Sequence, residues 1–239
     1  LYADHLPTLL AQGKISEALI DAMVCNILRL KLEMGLFDNP YTDPGSFAHP
    51  VNEQHLSVAK TAALRSCVLL KNEGDVLPLD KQTLESVAVI GPLADDGYEQ
   101  LGTWVFDGES RHSHTCLQAI HALVGEEVDV RWAPGLRTSR CRSDEGFEEA
   151  LSVARDSDAV LLFLGEESIL SGEAHCRADI DLPGNQEQLI EAVAATGRPV
   201  ILVVMAGRPL TLEAVLDKVS AVLYAWHPGT MGGPAIADL

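Results

Sequence analysis

From Ser86 onward the chain repeats one pattern: a near-continuous run of Val, Ile, Leu or Ala, then an amphipathic stretch, then another such run. The runs fall at Ser86–Ile90, 128–133, 159–164, 199–205 and 221–226. Apolar residues at helical spacing fill Cys116–Val124, 144–155, 185–195 and, as a short helix, 210–216. Strands that lack polar alternation are buried on both faces, and amphipathic helices between them supply the cover. The predicted fold is therefore α/β: a doubly wound, mostly parallel sheet sandwich of the flavodoxin-like kind. In such sheets ligands bind beyond the carboxyl ends of the strands. The loops that follow the runs, at 91–95, 165–183, 206–209 and 227–233, are where chemistry is expected.

The segment before this pattern reads differently. Ile15, Leu19, Ala22, Met23, Ile27, Leu30 and Met34 form one apolar stripe of a helix over 15–37, with Ser16 as N-cap and Gly35 as stop. Only a short loop is expected ahead of it, so the stripe must pack on material outside this sequence or on the following domain. Residues 38–50 are turn-rich and read as a linker. A helix over Glu53–Ser66 and a short buried strand over 67–72 follow. The chain opens Leu1-Tyr2 without Met and stops at Ala237-Asp238-Leu239 within a helical pattern, so a piece of a longer protein is expected.

Lys and Arg number 17 against 35 Asp and Glu, a formal net charge of -18. That balance argues against nucleic acid or an anionic membrane as partner, because both need a basic face. It suits a neutral small molecule or a sugar. No run approaches the roughly 18 apolar residues of a membrane helix. The five cysteines show no paired spacing, so neither a metal site nor a disulfide framework is expected. Cys25 and Cys67 read as small hydrophobes, and Cys176 as partly exposed. Neither GxGxxG nor GxxxxGK[ST] occurs at the first loop or elsewhere, so no nucleotide cofactor is called for.

The loop 165–183, too long for a plain connector, holds Glu166, Glu167 and Glu173. A general acid must keep its proton near neutral pH, which burial or neighbouring carboxylates favour. Glu173, flanked by Gly172 and Ala174 that leave room for a ligand, is the candidate. An ordinary solvated glutamate is the other reading. Arg177 reads first as a residue that holds the loop through a carboxylate such as Asp179 or Asp181, and second as a substrate contact. Trp104, on a Gly-containing polar loop, either stacks on a sugar face or caps the fold. Trp132 and Trp226 fall in strands and read as core. The glycines after His227 either present N–H groups to a ligand or let a helix pack closely.

The ordered set Gly35-Leu-Phe37, Ser66-Cys-Val-Leu-Leu-Lys-Asn72, Leu77-Pro-Leu79, Val89-Ile-Gly-Pro92, Gly102-Thr-Trp104, Ser171-Gly-Glu-Ala174, Asp181-Leu-Pro183, Gly207-Arg-Pro209 and Pro228-Gly-Thr-Met-Gly-Gly233 closely resembles glycoside hydrolase family 3, in particular its bacterial β-glucosidases. The resemblance implies a division of the chain: 1–37 the last part of a TIM-like barrel, including its final helix, 38–66 a linker and connecting helix, 67–239 the α/β sandwich, itself incomplete. It implies a periplasmic or secreted retaining glycosidase releasing terminal, non-reducing β-D-glucose from a β-glucoside or short β-glucan oligosaccharide. Glu173 matches the acid/base, Trp104 the aromatic that flanks the leaving-group sugar, and the nucleophilic Asp lies in the barrel that this sequence lacks. The resemblance calls for no cofactor or metal, and the isolated chain is expected to be inactive. Two alternatives stand beside it: a β-xylosidase or α-arabinofuranosidase of the same family, and a non-catalytic sugar-binding sandwich. Met231 departs from the Glu of many relatives, and His175-Cys176 from their small polar residues.

Overall fold

A computed structural model describes residues 2–46 and 51–239. The chain divides into two compact units, Leu1–Pro50 and Val51–Leu239.

The first unit holds α1 (Tyr2–Ala11) and α2 (Glu17–Glu33). The short loop expected ahead of residue 15 is instead α1. Its Leu and Ala residues favour helix strongly enough to carry Pro7, which forgoes one backbone bond. In α2 the Ser16 hydroxyl accepts from the Leu19 N–H at 3.2 Å, as an N-cap should. No residue of α1 or α2 is buried within this unit. Cys25, expected as a small hydrophobe, is accordingly exposed on α2. The predicted linker at 38–50 falls in this unit through residue 46, and its last four residues lie outside the described ones.

The second unit begins with α3 (Glu53–Ser66), capped by Asn52, whose side chain accepts from the His55 N–H. There follow β1 (Val68–Asn72), β2 (Ser86–Ile90), α4 (Cys116–Val124), β3 (Asp129–Ala133), α5 (Phe147–Arg155), β4 (Ala159–Gly165), α6 (Gln186–Ala194), β5 (Val200–Met205), β6 (Ala221–Tyr224) and α7 (Gly232–Asp238). The six strands form one sheet in the order β1-β6-β5-β4-β2-β3. All neighbours run parallel except β1, which pairs antiparallel with β6.

Alternate residues of the central strands feed two cores, because successive side chains leave a strand on opposite faces. Val160, Leu162 and Leu164 of β4 join Ala150 and Ala154 of α5 and Leu189, Ile190 and Val193 of α6. Phe163 of β4 with Val87 and Val89 of β2 joins Cys116, Ile120 and Val124 of α4 and Ile236 of α7. The sheet is thus covered on both faces, the α/β sandwich that the alternating pattern predicts. Helix α3 packs on α7, with Lys60 and Asp238 paired at 2.6 Å.

Three expectations are corrected. The strand over 67–72 is not buried: Val68, Leu69 and Leu70 are exposed, because β1 is an edge strand with a register shift between Leu69 and Lys71. Residues 210–216 are not a helix but turns that end in a single 3-10 turn at Leu216–Lys218. There the backbone bonds are taken by distant partners. The Leu210 N–H donates to the Tyr224 hydroxyl at 3.0 Å and the Thr211 N–H to the Ile180 carbonyl at 3.0 Å. Trp132 is not core either, being 44% exposed on the edge strand β3. Trp226 does pack, tilted against Tyr224 with ring centroids 4.6 Å apart.

After β3 the chain crosses back over β2 to build β4, so strand order reverses at the β2–β4 pair. In open α/β sheets such a reversal leaves a crevice between the two loops that leave the carboxyl ends. Here those loops carry Trp104 and Glu173.

Candidate active site

The loop after β4 is closed at its base by one buried amide. Gln186, fully buried at the start of α6, accepts from the Gly165 N–H at 2.7 Å. Its Nε2 lies within hydrogen-bond reach of the carbonyls of Gly165 (2.7 Å), Ser139 (2.8 Å) and Pro183 (3.0 Å). Both ends of the loop are thereby drawn to one point. The periodicity of α6 reads Gln186 only as part of a helix, so its role is invisible until the loop ends meet.

The three loop glutamates have separate fates. Glu166 extends the β4 ladder, its N–H donating to the Met205 carbonyl at 2.8 Å, and its side chain is wholly buried. The carboxylate receives Arg177 Nη1 on Oε1 and Arg208 Nε on Oε2, the latter at 3.1 Å. Glu167 receives a two-pronged Arg140 at 3.1 and 3.0 Å and the Ser139 hydroxyl at 2.6 Å. Burial pushes the Glu167 carboxyl up, but the hydrogen bonds from Arg140 and Ser139 outweigh it and hold it below the usual range. Glu173 is exposed and makes no hydrogen bond or ion pair among the described residues. Of the three loop glutamates it alone is held by no partner among the described residues.

Arg177 therefore does hold the loop through a carboxylate, but that carboxylate is Glu166 rather than Asp179 or Asp181. Its Nη2 donates to the Asp181 backbone carbonyl at 3.0 Å, and its side chain is 19% exposed. Asp179 instead accepts from the Asp181 N–H at 3.0 Å.

The β2 loop meets the β4 loop at Thr103. Its hydroxyl lies against the carbonyls of Ser168 and Ser171, the second at 2.9 Å, while the Glu99 carboxylate accepts from the Ser168 N–H. Gly172 does not leave room for a ligand as expected. A Cβ there would stand 2.3 Å from Thr103 Cγ2, and its φ of +99° is one that L side chains rarely adopt. Its missing side chain lets the two loops touch. Ala174 follows at φ +65°, an uncommon setting for a residue with a Cβ. Trp104, next along the β2 loop, is 61% exposed and meets Phe106 edge-on at 6.4 Å.

His227, after β6, faces the Ser171 hydroxyl at 3.4 Å. Burial pulls its pKa below the ordinary value and outweighs the opposing pull of Glu166. Of the glycines behind it, Gly232 and Gly233 serve packing, a Cβ on Gly233 falling 2.1 Å from the Thr115 carbonyl oxygen, while Gly229 meets nothing within 4 Å and instead takes a φ of +77°. Cys176, at the far side of the Glu173 turn, is exposed as expected. Among the described residues no group of three or more His, Cys, Asp or Glu is arranged to hold a metal ion.

A mostly parallel α/β sandwich whose β2 and β4 loops meet where strand order reverses defines the class of fold. The family is more specific: the chain belongs to glycosyl hydrolase family 3, whose C-terminal domain matches residues 67–239. The periplasmic beta-glucosidase of Salmonella typhimurium is 34% identical over 100% of this chain and 34% of its own length. A beta-xylosidase of Formosa agariphila is 36% identical over 92% of the chain and 31% of its own length. The crystal structure of a beta-glucosidase from Listeria innocua in complex with glucose superposes with a TM-score of 0.86 at 33% identity, covering 100% of this chain and 32% of that one. The chain thus spans about a third of the length of these relatives. No helix among the described residues is long and apolar enough to cross a membrane.

Proposed function

We propose that this chain supplies the acid/base half of a retaining glycosidase that releases terminal, non-reducing β-D-glucose. The observation that carries this reading is the sorting of the loop carboxylates, two held by arginines and one, Glu173, bare at the tip. In the first step the Glu173 carboxyl gives its proton to the glycosidic oxygen as the bond to the anomeric carbon breaks. An aspartate from elsewhere in the longer protein takes that carbon and forms a glycosyl-enzyme. In the second step the Glu173 carboxylate removes a proton from water, whose oxygen displaces the aspartate. Retention needs the two carboxyl groups roughly 5–5.5 Å apart. On this reading residues 1–37 close a barrel that bears the nucleophile, and 38–66 connect it to the sandwich.

Trp104 offers its exposed face to the sugar on the leaving-group side, where stacking buries apolar area on both partners. Arg177 acts in this reading by shaping the loop. The periplasmic relative supports a periplasmic or secreted site of action, which cell fractionation of the native protein tests.

The test of the acid/base role is Glu173→Ala in the full-length protein. General acid catalysis contributes about 10²–10⁴-fold, so kcat/KM for alkyl glucosides should fall by that order. Aryl glucosides with strongly activated leaving groups need no proton and should keep most of their kcat/KM, and added azide should restore turnover. Equal losses on both substrates without azide rescue would overturn the assignment. A β-xylosidase is the second reading, favoured by the Formosa relative. The ratio of kcat/KM for xyloside and glucoside decides between the two.

A further inference from the structure

We infer that Glu166 is the positioning residue for Glu173, setting the acid/base loop through Arg177 and Arg208; the inference rests on the reading of Glu173 as acid/base. The backbone of Glu166 is fixed by the sheet, since its N–H bonds the last carbonyl of β5. Its carboxylate splits between two guanidinium groups, and each of those spends a further donor on the loop. Arg208 Nη2 reaches the carbonyls of Leu170 and His175, the second at 2.8 Å. Those two residues lie on either side of Glu173. Arg177 Nη2 holds the carbonyl of Asp181 further down the returning limb.

Arg208 is itself held from behind. Its own carbonyl accepts from the Tyr224 hydroxyl at 2.6 Å, and Tyr224 is the last residue of β6. A continuous path of rigid contacts therefore runs from three strand ends to both limbs of the loop tip. Stability alone does not account for such an arrangement. A buried carboxylate gives up its hydration, and well-packed apolar residues of similar volume often serve a core as well or better. What the charged arrangement adds is direction, because a guanidinium fork donates along fixed lines. Misplacing a reacting group by about 1 Å can cost about 10²-fold in rate.

The experiment uses the full-length protein with Arg208→Lys, Glu166→Gln and Glu173→Ala. In Arg208→Lys the new ammonium keeps a positive charge opposite Glu166 but cannot reach carboxylate and loop carbonyls together. For this variant, kcat/KM on an alkyl β-glucoside should fall about 10–100-fold, part of the full general-acid contribution. On 2,4-dinitrophenyl β-glucoside it should change by less than about 3-fold, because that leaving group needs no proton. Amide hydrogen exchange should accelerate across residues 170–176 and stay unchanged in β4 and β5. Glu166→Gln should show the same selectivity; if it fails to fold, Arg208→Lys decides alone. Equal losses on both substrates, or wild-type rates on both, would overturn the positioning role. Selective loss in Glu173→Ala without it in Arg208→Lys sinks this inference and spares the proposed function. Unselective loss in Glu173→Ala sinks both.

Discussion

The base and the tip of the β4 loop treat the same functional group in opposite ways. At the base the Glu166 side chain is wholly buried between two arginines, and Glu167 beside it is held by Arg140 and Ser139. At the tip Glu173 stands exposed with no partner among the described residues. The contrast teaches how an α/β sandwich makes a carboxylate available. It consumes the nearby ones as structure, and it ties the backbone around the remaining one while leaving its side chain bare.

The sharpest way to break this comparison is to remove each carboxylate in turn and measure folding by denaturant titration. Glu166→Ala leaves two arginines facing an empty site and should cost about 3–5 kcal/mol of stability. Glu173→Ala should move stability by no more than about 0.5 kcal/mol, as surface changes do, while kcat/KM on alkyl glucosides falls. If the two variants lose stability equally, the division of labour is wrong. A smaller effect is expected at Ser139→Ala, which strips one donor from Glu167. It should cost about 1–3 kcal/mol and leave the response to leaving group unchanged.

Titration separates the two regions by pH window. The folded pKa of His227 lies below its ordinary 6.5, so the unfolded chain binds the extra proton as pH drops. Its contribution is present above 6.5 and is lost as pH falls through the folded value, with a slope of at most about 1.4 kcal/mol per pH unit. The Glu167 carboxyl lies below its ordinary 4.5, so its contribution is lost only on further acidification. Thermal melts from pH 7 to pH 3 should show two successive declines, and His227→Gln should remove the first. A single decline below 4.5 would show that His227 is not protected from protonation. The smallest expected change is Trp104→Ala, within about 0.5 kcal/mol of stability because the ring is mostly exposed. A larger loss would make Trp104 a cap for the fold.

Much of the sandwich was legible because buried parallel strands write themselves as unbroken Val, Ile and Leu runs, as at 159–164 and 199–205. What misled was equally physical. The apolar run of β1 is that of an edge strand whose Val68, Leu69 and Leu70 are exposed, and hydrophobicity alone does not tell edge from centre. Residues 210–216 carry a helical scatter of Leu and Val, yet Tyr224 fixes their backbone from another strand. The position of Glu173 was readable from its loop and its strand. The ion pairs of Glu166 were not, since Arg208 becomes its neighbour only when the sheet brings β4 and β5 together, and Arg177 only when the loop they share folds back on itself.

The grip of Arg208 on the carbonyls of Leu170 and His175 has a consequence for how such a loop can be rewritten. Main-chain oxygens are common to every amino acid, so the clamp is blind to the side chains it carries. Exposed Ile169 and Cys176 can then be exchanged to reshape the loop around Glu173 without disturbing its support, whereas Ala174 sits at φ +65° and Nδ1 of His175 lies 3.0 Å from the Ser171 carbonyl. The tip behaves as an interchangeable bit in a fixed chuck, and a library confined to Ile169 and Cys176 should retain folded members in large numbers.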